Sequence, residues 1–165
     1  MQTRKTAELA TRLIALRSEA LREVKAARNK LAAALTLGGV EYMDDSASTQ
    51  LDATLLSIMD LGRPLVWIAD AALLPAIDGR MMEFMHDHVD GAVFHGEGDH
   101  ALAELLDAEL GRIYLTDTLR TAVFTARELA LPGGRVLYSP GRAAMPGGPD
   151  QAARSDEFRK ALKDL

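Results

Sequence analysis

From Thr3 to about Leu35 the chain has neither glycine nor proline, and Leu13, Leu16, Ala20, Val24, Ala27, Leu31 and Ala34 recur at steps of three and four. That spacing paints one apolar stripe along a helix, and the residues between are mostly strong helix formers. A helix over residues 3–35 is therefore predicted, about 50 Å long at 1.5 Å per residue, with Gly38-Gly39 as its C-terminal stop. It is longer than a small domain needs to cover its own core.

Beyond Gly39 the period changes. Short strands are expected at Val40–Met43, Pro64–Ala69, Gly91–His95, Arg112–Leu115 and Arg135–Ser139. Helices are expected at Thr49–Leu61, Ile77–Val89, His100–Leu110, Thr118–Ala130 and Gln151–Leu165. Pro64–Ala69 reads PLVWIA, a continuous apolar run of the kind found in strands buried on both faces. Strands alternating with helices of this length predict an α/β three-layer sandwich with a mostly parallel sheet. The domain reading is residues 1–38 as a basic amphipathic helix for docking or oligomerisation, and 39–165 as one α/β domain.

Composition narrows the chemistry. The 165 residues include no cysteine, which excludes a disulfide framework, a thiolate zinc site and a cysteine nucleophile. No apolar run reaches the length of a membrane span, and the start carries no signal-peptide core, so a soluble, cytoplasmic protein is expected. The net charge of −5 conceals an asymmetry. Residues 1–30 hold eight basic and three acidic side chains, whereas the rest hold 11 and 21. A basic segment on an acidic body points to a partner. The segment has no aromatic residue and its charges are spread round the helix, which argues against nucleic acid and against a membrane surface.

In open parallel sheets, ligands bind beyond the carboxyl ends of the strands. Two such ends are polar here. Asp44-Asp45-Ser46-Ala47-Ser48-Thr49 follows the first strand, where its hydroxyls either cap the next helix or help to hold an anion. Ser139-Pro140-Gly141-Arg142 follows the last, with Arg142 a fork for carboxylate or phosphate. The sequence contains neither a P-loop nor G-x-G-x-x-G after the first strand, and Gly96-Glu97-Gly98 is a weak nucleotide signal. His86 and His88 lie two apart and cannot share a metal through one helix; His95 and His100 flank an acidic loop as strand-end and cap residues. Met81, Met82, Phe84 and Met85 read as core filler. No metal, cofactor or catalytic residue is expected.

Residues from about Val40 to Leu165 resemble the C-terminal domain of Mur ligases, in particular those that add D-glutamate. The family pattern N-D-S-K-A-T-N stands here as Asp44-Asp45-Ser46-Ala47-Ser48-Thr49-Gln50. The pattern L-L-S-P-A-C-A-S-F-D stands as Leu137 to Pro146, and G-D-x-F as Ser155-Asp156-Glu157-Phe158. The resemblance implies a Rossmann-like fold, a ribose contact at Asp45, and contacts for the amino acid's carboxylate at Thr49 and Ser139. With Ser46 and Arg142 these form a vestigial ligand site. The family's two lysines are missing, at Ala47 and within Asp70-Ala71-Ala72-Leu73, and its aromatic is Met145. Loss of two cations removes most of the electrostatic stabilisation from a site built for carboxylates and phosphates. The P-loop domain over which this domain closes in the family is also missing from the sequence.

A degenerate, stand-alone, non-catalytic domain is thus expected, acting as a structural or assembly subunit. Residues 3–35 would meet a protein partner or a second copy. The alternatives are a nucleotide or acidic metabolite in the Asp45/Thr49/Ser139 cleft, or the closing domain of a split ligase.

Overall fold

The computed structural model describes residues 11–12, 15–17, 19–20, 31 and 33–165, and the chain divides into two units, residues 1–30 and 31–165. In the first unit the described residues, Thr11, Arg12, Ala15 to Arg17, Glu19 and Ala20, are helical. The rest of the expected helix up to Lys30 lies outside the described residues.

Its last turn is overturned. Ala33–Leu37 form a strand, β1, antiparallel to β2 (Val40–Asp44). Gly38 and Gly39 are the hairpin turn between them, with φ of 60° and 77°. Two consecutive residues at positive φ match the twist of a hairpin, and glycine adopts that conformation without a Cβ penalty. A glycine pair after an apolar stretch reads equally as a helix stop, and local propensity could not choose. Pairing chose: without β1, the outer edge of β2 would leave its backbone groups unpaired.

The sheet therefore has six strands rather than five, in the order β1-β2-β6-β3-β4-β5, with β3 Leu65–Asp70, β4 Gly91–His95, β5 Ile113–Thr116 and β6 Arg135–Tyr138. Every pair except β1–β2 is parallel. The helices are α1 (Leu51–Leu61), α2 (Gly79–His88), α3 (His100–Leu110), α4 (Leu119–Leu129) and α5 (Gln151–Lys163). An unexpected 3₁₀ turn, Ala71–Ala76, follows β3.

Alternation along the strands feeds two cores. On one face Trp67, Phe94, Leu137 and Met43 meet Ile58 of α1, Met81 and Met85 of α2, and Leu106 of α3. On the other Val66, Ile68, Val93 and Tyr138 meet Val123 of α4 and Phe158 of α5. Of the four residues read as core filler, Met81 and Met85 are buried, and Met82 and Phe84 are partly buried against the same core. Among the described residues, no helix is long and apolar enough to cross a membrane.

Candidate functional site

The parallel strands β2, β6, β3 and β4 are neighbours and end on the same side, which gathers Asp44, Asp45, Ser139, Asp70 and His95 along one edge of the sheet. Asp45 and Ser139 are brought together. Their side chains are nearly inaccessible, at 2% and 0% exposure. The Asp45 Oδ2 atom accepts hydrogen bonds from Ser48 Oγ and Ser139 Oγ, both at 2.8 Å. Because the Ser139 proton points at the carboxylate, Thr54 Oγ1 of α1 donates to Ser139 Oγ at 2.6 Å. Burial pushes the Asp45 carboxyl above its usual range, partly offset by hydroxyls of Ser48, Ser139 and Ser57, while the neighbouring charge of Asp44 adds to the rise. The Ser139 carbonyl accepts from Trp67 Nε1 at 2.9 Å. This network ties the ends of β2 and β6 to α1 and the core.

The turn after β2 does not cap α1 through a hydroxyl. The N-cap is Gln50, with no side-chain cap, whereas Asp78, Asp99, Thr118 and Asp150 cap α2 to α5. Ser48 turns inward to Asp45, and buried Ser46 donates its backbone N–H to Asp44 Oδ1 at 3.1 Å. Thr49 is exposed and is not part of the Asp45–Ser139 network. Among the described residues, no group of three or more histidines and carboxylates is arranged to hold a metal ion.

Arg142 lies on a different carboxylate. Its Nη1 is 3.9 Å from Asp70 Oδ1, and Nη2 of Arg154 is 3.8 Å from Asp70 Oδ2. Arg154, 6% exposed, also donates to the Arg142 carbonyl at 2.9 Å, so α5 holds the loop after β6 in place. The loop needs Gly141: its φ is 74°, and a Cβ there would sit 2.7 Å from Leu73 Cδ1. On the far side of β2, Asp44 accepts from Ser155 Oγ at 2.5 Å and pairs with Arg159 Nε at 3.2 Å.

His95 closes the row at the end of β4. Its ring centroid is 5.9 Å from that of Tyr138, and its buried Nε2 has no hydrogen-bond partner among the described residues. Burial lowers the His95 pKa below the usual imidazole value; Asp70 opposes the shift and Arg154 adds to it. Burial likewise pushes the Tyr138 phenol up.

The residues missed from the sequence are Thr54, Asp70 and Arg154. Arg154 had a readable signal: with Phe158, Ala161 and Leu162 it occupies the inward stripe of α5, where an arginine needs a partner. Asp70 ends an apolar strand, but nothing local says that two arginines would approach it.

No family model matches the chain. It is 33% identical over 153 residues to UDP-N-acetylmuramoylalanine--D-glutamate ligase of Burkholderia mallei (strain SAVP1), covering 88% of this chain and 29% of that protein. It is 25% identical over 147 residues to the same ligase of Lacticaseibacillus paracasei, covering 89% of this chain and 32% of that protein. The chain thus spans about a third or less of the length of these curated relatives. Its fold is similar to a solved domain described as part of a UDP-N-acetylmuramate:L-alanyl-gamma-D-glutamyl-diaminopimelate ligase from Haemophilus ducreyi 35000HP. The TM-score is 0.51 at 12% identity, over 79% of this chain and 98% of that one. Sequence and fold agree: this chain is a homologue of one domain's share of the Mur ligases, with a Rossmann-like architecture consistent with their C-terminal domain.

Proposed function

We propose that this Mur-ligase-like domain does not itself catalyse amide ligation and serves as an assembly module, docking through its basic N-terminal segment. One observation carries the reading: Asp45 and Ser139, the residues that the resemblance marks for ligand contact, are buried and hydrogen-bonded to each other. The Oδ2 atom of that carboxylate accepts two hydroxyl donors from within the chain. No cation stands at Ala47 or among Asp70 to Leu73 to hold an incoming carboxylate or phosphate. The soluble, cytoplasmic setting expected from the sequence belongs to the same proposal.

The docking element is residues 1–30, because Ala33–Leu37 are part of the sheet. A truncation that removes residues 1–36 would take away most of an edge strand, so the informative one begins at Leu31. Sedimentation velocity of the full chain should show assembly that weakens with salt, since exposed charges are screened. The chain starting at Leu31 should be monomeric. A full chain that stays monomeric at every concentration and salt would refute assembly.

A second reading has one observation in its favour, the unpartnered Nε2 of His95 beside Asp70, Arg142 and Arg154. A small acidic metabolite bound there would move the amide resonances of Gly96 and Gly141 on titration with millimolar ATP or D-glutamate. Unmoved resonances would dismiss it.

A further inference from the structure

The two helical layers carry opposite charge. Histidines aside, α1, α2 and α3 together bear seven carboxylates against one arginine, Arg80. Helices α4 and α5, on the other face of the sheet, bear six basic and three acidic side chains. The division follows chain order, the three acidic helices coming first and the two basic ones last, and the crossovers place each group on its own face of the sheet. On the acidic layer Glu83, Glu104 and Glu109 are exposed, and among the described residues no ion pair reaches them.

Helix α3 adds an apolar line to this charge. Leu105 is 63% exposed, and Ala101 and Ala108, four residues before it and three after, are exposed on the same side. Glu104 and Glu109 flank that line. An apolar stripe bordered by carboxylates fits an amphipathic segment whose apolar stripe is bordered by cations. The chain supplies one. Residues 1–30 carry eight basic and three acidic side chains around Leu13, Leu16, Ala20, Val24 and Ala27, and Leu16 is 60% exposed.

We propose that the basic segment of one copy docks on the acidic α2–α3 face of a second copy, the exchange being mutual across a two-fold axis. The proposal rests on the assembly reading above and names the face that reading leaves open.

Charge reversal in the full chain tests it by sedimentation equilibrium, with circular dichroism confirming the fold of each variant. Glu104→Lys with Glu109→Lys should weaken self-association at least about tenfold, whereas Asp156→Lys with Glu157→Lys on α5 should leave it unchanged. Arg12→Glu with Arg17→Glu should weaken it as well, and mixing that chain with the α3 variant should restore a mixed dimer. Wild-type assembly that survives the α3 reversal would overturn the face and leave the assembly reading standing. A wild-type chain that is monomeric throughout, its segment folded on itself or on its own body, would overturn both.

Discussion

Replacing Ser139 by alanine would remove one hydroxyl from a row of three. The Ser139 Oγ atom donates to Asp45 Oδ2 at 2.8 Å and accepts from Thr54 Oγ1 at 2.6 Å, with Thr54 and Ser139 at 0% exposure and Asp45 at 2%. Water cannot readily replace the lost donor. A hydrogen bond to a charged group contributes about 1.5–3 kcal/mol net, and one between neutral groups about 1 kcal/mol. Above its raised pKa, where Asp45 is ionised, the variant should lose about 2–3 kcal/mol, the upper part reflecting the Thr54 hydroxyl left without its acceptor. Near pH 3 the carboxyl is protonated and the loss should shrink to about 1 kcal/mol. The sign follows from the pKa: the Ser139 bond lowers that of Asp45, so its removal makes ionisation costlier. Urea unfolding can be followed through Trp67, the chain's single tryptophan, which is fully buried. Its indole bonds the Ser139 carbonyl, which the substitution keeps. A loss that stays below about 0.5 kcal/mol as pH is raised, or that is the same in acid and in alkali, would show that the network does not stabilise the ionised carboxylate.

Asp45→Asn should gain on the wild type as pH rises. The folded carboxyl titrates above its ordinary 3.8, so its contribution is fully present below that value and is lost as pH climbs through the raised one; the variant has nothing to lose there, and parallel stability–pH curves would contradict the shift. His95→Phe removes a buried ring nitrogen that has no partner, and should be neutral to stabilising by about 1–2 kcal/mol at pH 8 in urea melts. Its advantage should widen in acid: the depressed His95 pKa keeps the wild type's stability whole above about 6.5 and erodes it as pH falls through the lower folded value, so a variant less stable at pH 5 would refute the burial argument. Gly141→Ala forces a side chain to a φ of 74° and against Leu73, and should cost about 1–3 kcal/mol in thermal or urea unfolding; no change in midpoint would mean the loop relaxes freely.

The alternation of apolar runs and helical stripes after Gly39 was legible residue by residue, because the local periods of 2 and 3.6 survive whatever the rest of the chain does. The run Pro64–Ala69 read as a strand buried on both faces, and the strand it forms, Leu65–Asp70, is central, between β6 and β4. The resemblance that placed the chain beside the Mur ligases rested on the same stretch and agrees with its relatives. Ala33–Leu37 failed for the opposite reason. Its residues tolerate helix, Gly38-Gly39 ends a helix or turns a hairpin equally well, and the deciding hydrogen bonds come from β2.

The polar turn after β2 divided in the same way. Sequence named Asp45, Ser46, Thr49, Ser139 and Arg142 as one ligand cleft, but whether a hydroxyl faces outward depends on which strand end lies alongside. Crossover topology sets β6 beside β2, so Ser139 donates to Asp45, while Arg142 is carried to Asp70 beside Arg154. Composition likewise gave the charge of the first 30 residues and of the remainder, but not its division between two helical layers. By itself, then, the sequence determined what each segment could become and what the chain descends from, since those properties are local and additive. Tertiary structure alone decided which polar groups are satisfied, which remain exposed and which face carries the charge. Those depend on residues up to 111 positions apart, as between Asp44 and Ser155, brought within hydrogen-bond reach by strand order.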